Sequence, residues 1–528
     1  MRPKSVITSP TAAARPKARS AARAGLVFAA WAIAVSGLAG DLDDLAKPHD
    51  GRSMRSTSTA VGPATEASGS ELWIGTATAD ITPDGPVPLT GFRTVRISKG
   101  IHSRATANVL ALEAREGEEA VDQAILVSCD LCVIRPGIQD GFRRFLGDRL
   151  PGFDMTKLFL AATHTHAAPV LLQNRYESYG EAMQPKDYVE FLYARMADAV
   201  EAAWKSRAAG AVAWGLGHAV VGQNRRAVFS DGSAVMHGDT GKPEFRSIEG
   251  YEDHAVDVLC FYDLQKKLLA AAITVACPAQ SVGGSSLSAD FWHDVRRLLR
   301  QRHGDHLSVL GFCAPAGDQS PGLLVRKRSE ARMSTLRGLT RTEELGRRIA
   351  DAFDDVAGVI ESDVRTDVPF VHRVERFDVP GRKVTDAEYA RAQGLYDPLT
   401  KKEKLVGPDY WNMNFYKLTI DRYHAQQTAD PQYPVEMHVL RLGDAAIATN
   451  PFELFVDYGV RIQARSPAVQ TILIQLASPI DFGYYVPTPR ALAGGGYSAI
   501  VEQSLVGPEG GQALVERTVQ TIDELWKK

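Results

Sequence analysis

The chain has 528 residues, of which 45% are hydrophobic and 23% charged, the balance of an ordinary globular protein. A chain of this length can bury a large core without disulfide bonds. The net charge at pH 7 is −3, and it falls to −9 when the six basic residues of the segment 1–40 are set aside. This mildly acidic balance argues against a nucleic-acid partner held through phosphate contacts. The chain also has no GxGxxG or GxxxxGK[ST] loop, which argues against dinucleotide or P-loop chemistry.

The first 40 residues have the pattern of a secretory signal peptide. A basic region precedes the apolar segment from Gly25 to Val35, and small residues follow it. The apolar segment is short for a membrane anchor, which needs about 20 residues. We therefore predict cleavage between Gly37 and Gly40 and a secreted or periplasmic protein. Residues 41–70 are polar and aperiodic, which predicts a flexible linker, and residues 71–528 are predicted to form the folded domain.

Strand-like apolar runs alternate with segments of helical periodicity through the folded part. This alternation predicts an α/β fold with layered mixed sheets flanked by helices, and with a site at the strand ends. Residues 385–430 are rich in aromatic residues and are predicted to be irregular and helical, as a lid or surface subdomain. The predicted strands are 105–113, 123–134, 158–162, 211–221, 256–262, 268–276, 307–312, 368–379, a hairpin over 435–449, and 470–476. The predicted helices are 137–150, 187–207, 291–303, 342–360, 452–464 and 515–526.

The five cysteines are an odd number, so at least one is unpaired or binds another group. Four of them lie in or beside apolar runs, where a cysteine usually behaves as a small buried hydrophobe. Cys129 and Cys132 form a CxxC within a strand-like run, and we predict that both belong to the core. Cys277 differs because it begins a polar motif after a strand.

The run Leu158 to Ala162 ends on Thr163-His164-Thr165-His166. Residues two apart in an extended chain point to the same face. His164 and His166 are therefore expected to project together from the end of a core strand, an arrangement suited to a metal centre or an acid/base pair. An isolated HxH is equally compatible with two unrelated polar residues at a strand exit.

Five further polar motifs follow apolar runs, and a packed sheet delivers such residues to one crevice. A single motif of this kind is usually only a turn, but six with histidine, cysteine, glutamate, serine and arginine among them favour a site. The five are Gln223 to Arg226, Cys277 to Gln280, Ala316 to Pro321, Asn450 to Glu453, and Gly483 to Tyr485 with Tyr497 downstream.

Together these motifs resemble the neutral/alkaline ceramidase family, zinc-dependent amidases that split N-acyl sphingosines. The family's THTHSGP motif corresponds to the segment 163–169, its Asn-Arg motif to Asn224-Arg225, and its GDxSP motif to the segment 317–321. Its Pro-x-Glu motif corresponds to the segment 451–453. Its GYVxT motif corresponds to the segment 483–488, and the family's downstream tyrosine corresponds to Tyr497. Order and spacing agree across roughly residues 72–525.

The resemblance implies a zinc site and a set of residues around the scissile amide. His164, Glu453 and Tyr485 would be zinc ligands. The family's remaining ligand is a histidine in a His-Pro motif, and Cys277-Pro278 stands in its place here. Three alternatives follow: Cys277 binds zinc as a thiolate, His293 replaces it, or the metal has been lost. A second departure is that the chain stops about thirty residues after Tyr497, without the family's C-terminal immunoglobulin-like domain.

The expected reaction is hydrolysis of the amide bond of a ceramide-like N-acyl lipid, a step of sphingolipid metabolism. His166 would accept or donate a proton, and Arg225 and Tyr497 would donate hydrogen bonds to the oxyanion. Ser320 would orient water or substrate, or act as a nucleophile. Two alternatives stay open: a deacylase of a non-ceramide substrate on the same fold, and a metal-poor, inactive binding protein. The expected partners are a small-molecule or lipid substrate and a transient membrane surface, with no protein partner evident.

Overall fold

The computed structural model describes residues 70–482 and 484–527 of the chain. The predicted signal peptide lies outside the described residues. The predicted linker does too, except for Ser70, and so does Gly483 of the sixth motif. Among the described helices, none combines the length and apolar character needed to cross a membrane.

The described part of the chain contains short and long strands and ten α-helices. The first strands are β1 Ser70–Asp80, β2 Pro88–Leu89, β3 Arg96–Ile97, β4 Gly100–Ile101, β5 Thr106–Glu116, β6 Glu119–Cys129, β7 Leu158–Ala162, β8 Ala208–His218, β9 Gln223–Asn224, β10 Arg226–Phe229, β11 Ala234–Met236 and β12 Phe245–Ile248. They are followed by β13 Ala255–Asp263, β14 Leu268–Val275, β15 Ser286–Leu287, β16 Ser308–Cys313, β17 Gln319–Ser320, β18 Asp367–Val368, β19 Phe370–Pro380, β20 Gln432–Leu442, β21 Ala445–Thr449, β22 Glu453–Leu454, β23 Gln470–Ile474 and β24 Tyr485–Val486. The helices are α1 Ile138–Leu146, α2 Pro185–Lys205, α3 Phe291–His303, α4 Lys327–Arg337, α5 Arg341–Ile360, α6 Asp386–Thr400, α7 Pro408–Ala425, α8 Val456–Arg465, α9 Pro489–Gly494 and α10 Pro508–Trp526.

Two sheets face each other across an apolar core. The larger sheet has the strand order β16-β14-β13-β8-β1-β5-β6-β7, with β18 paired to β1, and the smaller has the order β19-β20-β21-β23. Alternate side chains of the large sheet, such as Leu110 and Phe159, meet Leu440 and Ile472 of the small sheet. The pairs β6/β7, β14/β16 and β21/β23 are parallel, so the carboxyl ends of their strands lie side by side.

Helices cover the outer face of each sheet. The other side chains of the large sheet pack on α1 and α2 over one half and on α3 and α5 over the other half. Helices α7, α8 and α10 pack on the small sheet. The result is a layered α/β fold with mixed sheets between helices, which confirms the predicted fold class.

Several elements differ from the sequence prediction, and three of them have a physical explanation in the structure. Helix α4 was not predicted, because none of its residues is buried and it has no apolar periodicity. The predicted helix from Phe452 begins at Val456, since Glu453 and Leu454 pair with β24 instead. Helix α10 begins at Pro508 rather than Val515. Its early glycines, which lower helix propensity, allow close contact: a Cβ at Gly510 would come within 2.3 Å of the Pro380 carbonyl oxygen.

Candidate active site

The site begins where the parallel strands β6 and β7 end together. Cys129 and Ala162 are partners in this pair. Beyond them the two segments continue side by side, because the Thr163 amide donates to the Cys129 carbonyl at 2.9 Å and the Thr165 amide to the Leu131 carbonyl at 3.1 Å. This pairing places Cys132 beside the two histidines.

His164 is held in one orientation by contacts on both ring nitrogens. Its Nδ1 lies 2.6 Å from the Cys132 carbonyl oxygen, and its Nε2 lies 3.3 Å from Oε2 of Glu453. A neutral ring that donates from Nδ1 to a carbonyl presents its Nε2 lone pair, the usual arrangement of a metal-binding histidine. Burial alone would lower the pKa of His164, but the hydrogen bonds to Cys132 and Glu453 raise it well above its ordinary value. Without a metal the ring therefore keeps both protons and donates from Nε2 to Glu453, and a metal bound at Nε2 would replace that proton.

His164 has a φ of 64°, in the left-handed region. The extended alternation expected for the HxH motif therefore does not hold, because β7 ends at Ala162 and an irregular segment with a left-handed residue follows. The two rings nevertheless meet, with centroids 4.9 Å apart and planes at 71°. The prediction that they project together is correct, but the irregular segment after β7, and not the strand itself, produces the contact.

His166 lies between Gly91, whose backbone approaches it closely, and the motif that follows β14. Its Nδ1 is 3.2 Å from Nε2 of Gln280, and its amide donates to the Ala279 carbonyl at 3.1 Å. A Cβ at Gly91 would come within 2.6 Å of the same Nδ1, so no larger residue fits there without movement. These contacts fix the ring from the strand side and from the loop side.

Cys132, His164 and His166 form a buried group whose ligand atoms lie within 4.8 Å of one another, and this group could bind a metal. Burial would raise the pKa of the Cys132 thiol, but the charges and hydrogen bonds of His166 and His164 lower it to about 5. A thiolate at this position is therefore stable at neutral pH.

Glu453 and Tyr485 are partners in the short parallel pair β22/β24. Oε1 of Glu453 is buried without a hydrogen-bond partner among the described residues. Burial would raise the pKa of Glu453, but the hydrogen bond from His164 keeps it below its ordinary value, so the side chain is a carboxylate. A charged oxygen with an open lone pair beside an imidazole Nε2 is a fit for a divalent cation.

Arg225 and Tyr497 complete this side of the site. The Arg225 guanidinium carbon lies 5.3 Å from the Tyr485 ring centroid, and Nη2 donates to the Gly317 carbonyl at 2.8 Å. Its Nε is buried without a partner among the described residues. Tyr497 packs its ring 5.5 Å from that of Tyr485, and burial raises its pKa, so it stays a neutral hydroxyl donor.

Asp318 holds the segments that carry Arg225 and Glu453 together through hydrogen bonds. Its carboxylate accepts from Nδ2 of Asn224 at 2.8 Å and from the Val456 amide at 3.1 Å, and its carbonyl accepts from the Arg225 amide. The strands β9 and β17 pair Ser320 with Gln223, and Oγ of Ser320 accepts from the Gly322 amide at 3.0 Å. The second, fourth and fifth motifs of the sequence are thus joined in one scaffold.

The remaining candidate ligands lie apart from the closest group. Cys277 is fully buried, and its nearest hydrogen-bond contact is the Pro278 carbonyl at 3.4 Å. It does not belong to the group of Cys132 and the two histidines. Burial, reinforced by the neighbouring Cys313, raises its pKa well above the ordinary value. His293 is an exposed residue in the first turn of α3.

The sequence prediction missed two residues of the site. Cys129 and Cys132 both belong to the buried core, as predicted, but Cys132 also contacts both histidines, which was not predicted. The signal was present in the aspartate between them, since Asp130 ends the apolar run and the strand with it. Gln280 was part of a recognised motif, but its contact with His166 depends on the fold.

Comparison with known proteins gives matches only at the level of structure. No protein-family model matches the chain, and no curated protein is significantly similar in sequence. The neutral ceramidase from Pseudomonas aeruginosa superposes with a TM-score of 0.63 and 18% identity, over 87% of this chain and 75% of that one. A ceramidase complexed with C2 gives a TM-score of 0.61 and 17% identity over the same shares. The fold described above is therefore that of these enzymes.

Proposed function

We propose that this chain, which has the fold of neutral ceramidases, is a zinc-dependent hydrolase that cleaves the amide bond of an N-acyl lipid such as ceramide. The observation that carries the proposal is the pairing of His164 and Glu453. The Nε2 atom of a ring anchored through Nδ1 faces a buried carboxylate at 3.3 Å, and the second oxygen of that carboxylate has no partner among the described residues.

The residues present suit zinc. His164, Glu453 and Tyr485 offer nitrogen and oxygen donors from three separate segments, and a thiolate is an accepted fourth ligand in catalytic sites. We propose Cys277 for that place, as the residue at the family's histidine position, with zinc displacing the proton that its buried thiol otherwise keeps. When bound, zinc would supply a Lewis acid that polarises the amide carbonyl.

The alternative thiolate is Cys132, on the opposite side of the same imidazole. Its Sγ lies 3.8 Å from Nδ1 of His164, the nitrogen already engaged with a carbonyl at 2.6 Å. A metal bound there would have to displace that hydrogen bond, so the Nε2 side is the better site.

The neighbouring side chains have roles that follow from their contacts. His166, oriented by Gln280, accepts a proton from the attacking water and returns it to the leaving amine. Arg225, with its free Nε, and the neutral hydroxyl of Tyr497 donate to the oxyanion that develops on the carbonyl. Ser320 positions the substrate through its hydroxyl.

Metal analysis of the full chain tests the proposal. Wild type and the control variant His293→Ala, which changes an exposed histidine, are expected to hold about one zinc per chain and to release fatty acid from short-chain ceramide. His164→Ala is expected to lose both. Full amide hydrolysis by His164→Ala would contradict the proposal.

Two cysteine variants decide the fourth ligand. Cys277→Ala is expected to lower zinc content or affinity, and Cys132→Ala to leave it unchanged. The opposite result would assign the ligand to Cys132. We also propose export of the protein from the cytoplasm, which fractionation of cells that express the full chain would test.

A further inference from the structure

Six arginines are buried in the described part of the chain, and half of them lack an acidic partner. Arg143, Arg226 and Arg296 each form an ion pair with a buried carboxylate. Arg135, Arg175 and Arg225 form no ion pair with a described carboxylate. Since a buried charge is costly unless it is compensated, the unpaired arginines call for a ligand. Arg225 belongs to the site already described, and the other two do not.

Arg175 is the most extreme of these residues. Its side chain is only 2% exposed, and none of its three guanidinium nitrogens has a hydrogen-bond partner among the described residues. The Trp411 and Tyr176 rings lie 5.0 and 6.0 Å from the guanidinium carbon, which is partial compensation. Burial and the charge of Arg135 lower the pKa of Arg175 to about 10, so it stays a cation at neutral pH.

Arg135 and Arg175 line the same narrow cleft. Cys132 lines it as well, and this residue contacts both histidines of the active site. Nη2 of Arg135 is also buried without a partner among the described residues. The rest of the wall is mainly apolar and comprises Thr90, Val133 and the segment 169–172. The cleft thus joins two cations that have no carboxylate partner to an apolar surface beside the proposed site of amide cleavage, and the one neighbouring anion is the Cys132 thiolate, whose charge raises the pKa of Arg175 only in part.

We propose that the substrate is an N-acyl compound with an anionic group, a carboxylate or a phosphate, that binds Arg175 and Arg135 beside the amide. A guanidinium with all its nitrogens free matches the paired oxygens of either anion. The apolar wall suits the methylene groups next to the amide. The proposal rests on the proposed amide hydrolysis, and it narrows the substrate from neutral ceramide to an acidic N-acyl amine.

Two matched pairs of substrates, each used below its critical micelle concentration, test the proposal. The carboxylate pair is N-lauroylglycine and its uncharged amide, N-lauroylglycinamide. The phosphate pair is N-lauroyl-phosphoethanolamine and N-lauroylethanolamine. Wild type is expected to have a kcat/KM at least tenfold higher for one or both of the charged members. Whichever pair shows the preference identifies the anion.

The variant Arg175→Met removes the charge and keeps the length of the side chain. It is expected to lower kcat/KM for the preferred anion at least 100-fold and to change that for its neutral partner less than threefold. The uncharged substrate reports the integrity of the fold within the same sample. The control is Arg207→Met, the same replacement at an arginine that pairs with Glu113 near Trp204. It should leave the ratio of kcat/KM for the charged substrate to that for its neutral partner unchanged.

The results separate this proposal from the proposed function. Equal rates on charged and neutral members, or an equal loss on both in Arg175→Met, would overturn the anion site and leave amide hydrolysis standing. If wild type cleaves none of the four compounds, the proposed hydrolysis fails for this class. Calorimetric binding of N-lauroylglycine and N-lauroyl-phosphoethanolamine then decides. Binding that Arg175→Met abolishes supports the anion site, and no binding to wild type overturns it.

Discussion

Asp130 and Arg296 form the buried ion pair on which the geometry of the site depends. The Asp130 carboxylate, which is fully buried, accepts from Nη1 and Nη2 of Arg296 at 2.7 and 3.0 Å. It also accepts from the amide and hydroxyl of Thr106 and, at 3.2 Å, from the hydroxyl of Thr163. One side chain thus joins the start of β5, helix α3 and the residue before His164.

The replacement Asp130→Asn keeps the shape and removes the charge. It leaves the Arg296 guanidinium buried and uncompensated, and breaking a buried pair in this way costs about 3–5 kcal/mol of unfolding free energy. The unfolding entropy of a folded domain of roughly 460 residues, the size of the described part of this 528-residue chain, is about 1 kcal/mol per kelvin, so Tm should fall by about 3–5 °C. Scanning calorimetry or thermal unfolding followed by tryptophan fluorescence measures the shift.

A double-mutant cycle shows whether the pair itself is responsible. Arg296→Met alone leaves a buried carboxylate and should destabilise by a similar amount. The double variant removes both charges. Its loss of unfolding free energy should be smaller, by at least about 2 kcal/mol, than the sum of the losses in the two single variants. If the two losses simply add, the reasoning about the buried pair is refuted.

Three further variants test other features of the structure. Gly91→Ala introduces a Cβ 2.6 Å from Nδ1 of His166 at a φ of 91°, so we expect at least a tenfold loss of kcat in amide hydrolysis, with unchanged kinetics refuting the close contact. Gly317→Ala brings a Cβ within 2.3 Å of the Glu453 carbonyl oxygen, and it should lower both zinc content and Tm. Burial raises the pKa of Asp257 to about 6, so the folded state binds its proton more tightly than the unfolded chain does. The stability that this proton contributes is complete below about pH 4 and is lost as the pH rises to about 6. The free energy of unfolding of Asp257→Asn should therefore exceed that of wild type by about 2–3 kcal/mol at pH 7 and nearly equal it at pH 4. Urea titration at both pH values measures the two differences. An equal effect at the two pH values would contradict this account.

Most of the strands that carry the site could be predicted from the sequence, because their apolar runs are long and end on polar motifs. Leu158–Ala162 was predicted with its observed bounds. The partners of those strands could not be predicted, since parallel pairing depends on residues far apart in the chain. The contact of Cys132 with His164 follows from the β6/β7 pair, and its local signal is limited to Asp130, which interrupts the apolar run before Cys132.

The arginine cleft was equally hidden from the sequence. Arg135 and Arg175 lie 40 positions apart in segments without a recognisable motif, and only the fold shows that neither has an acidic partner. The resemblance in motifs indicated the candidate ligands His164, Glu453 and Tyr485 in order. Their shared location depends on the short β22/β24 pair, which the sequence suggested to be the start of a helix.

The left-handed backbone of His164 has a consequence for the evolution of such chains. A residue with a side chain pays about 1 kcal/mol or more to adopt this conformation, and glycine does not. Drift at this position therefore favours glycine wherever selection for the chemistry is relaxed. We expect descendants of this fold that have lost their activity to carry glycine at position 164, and to be the more stable for it.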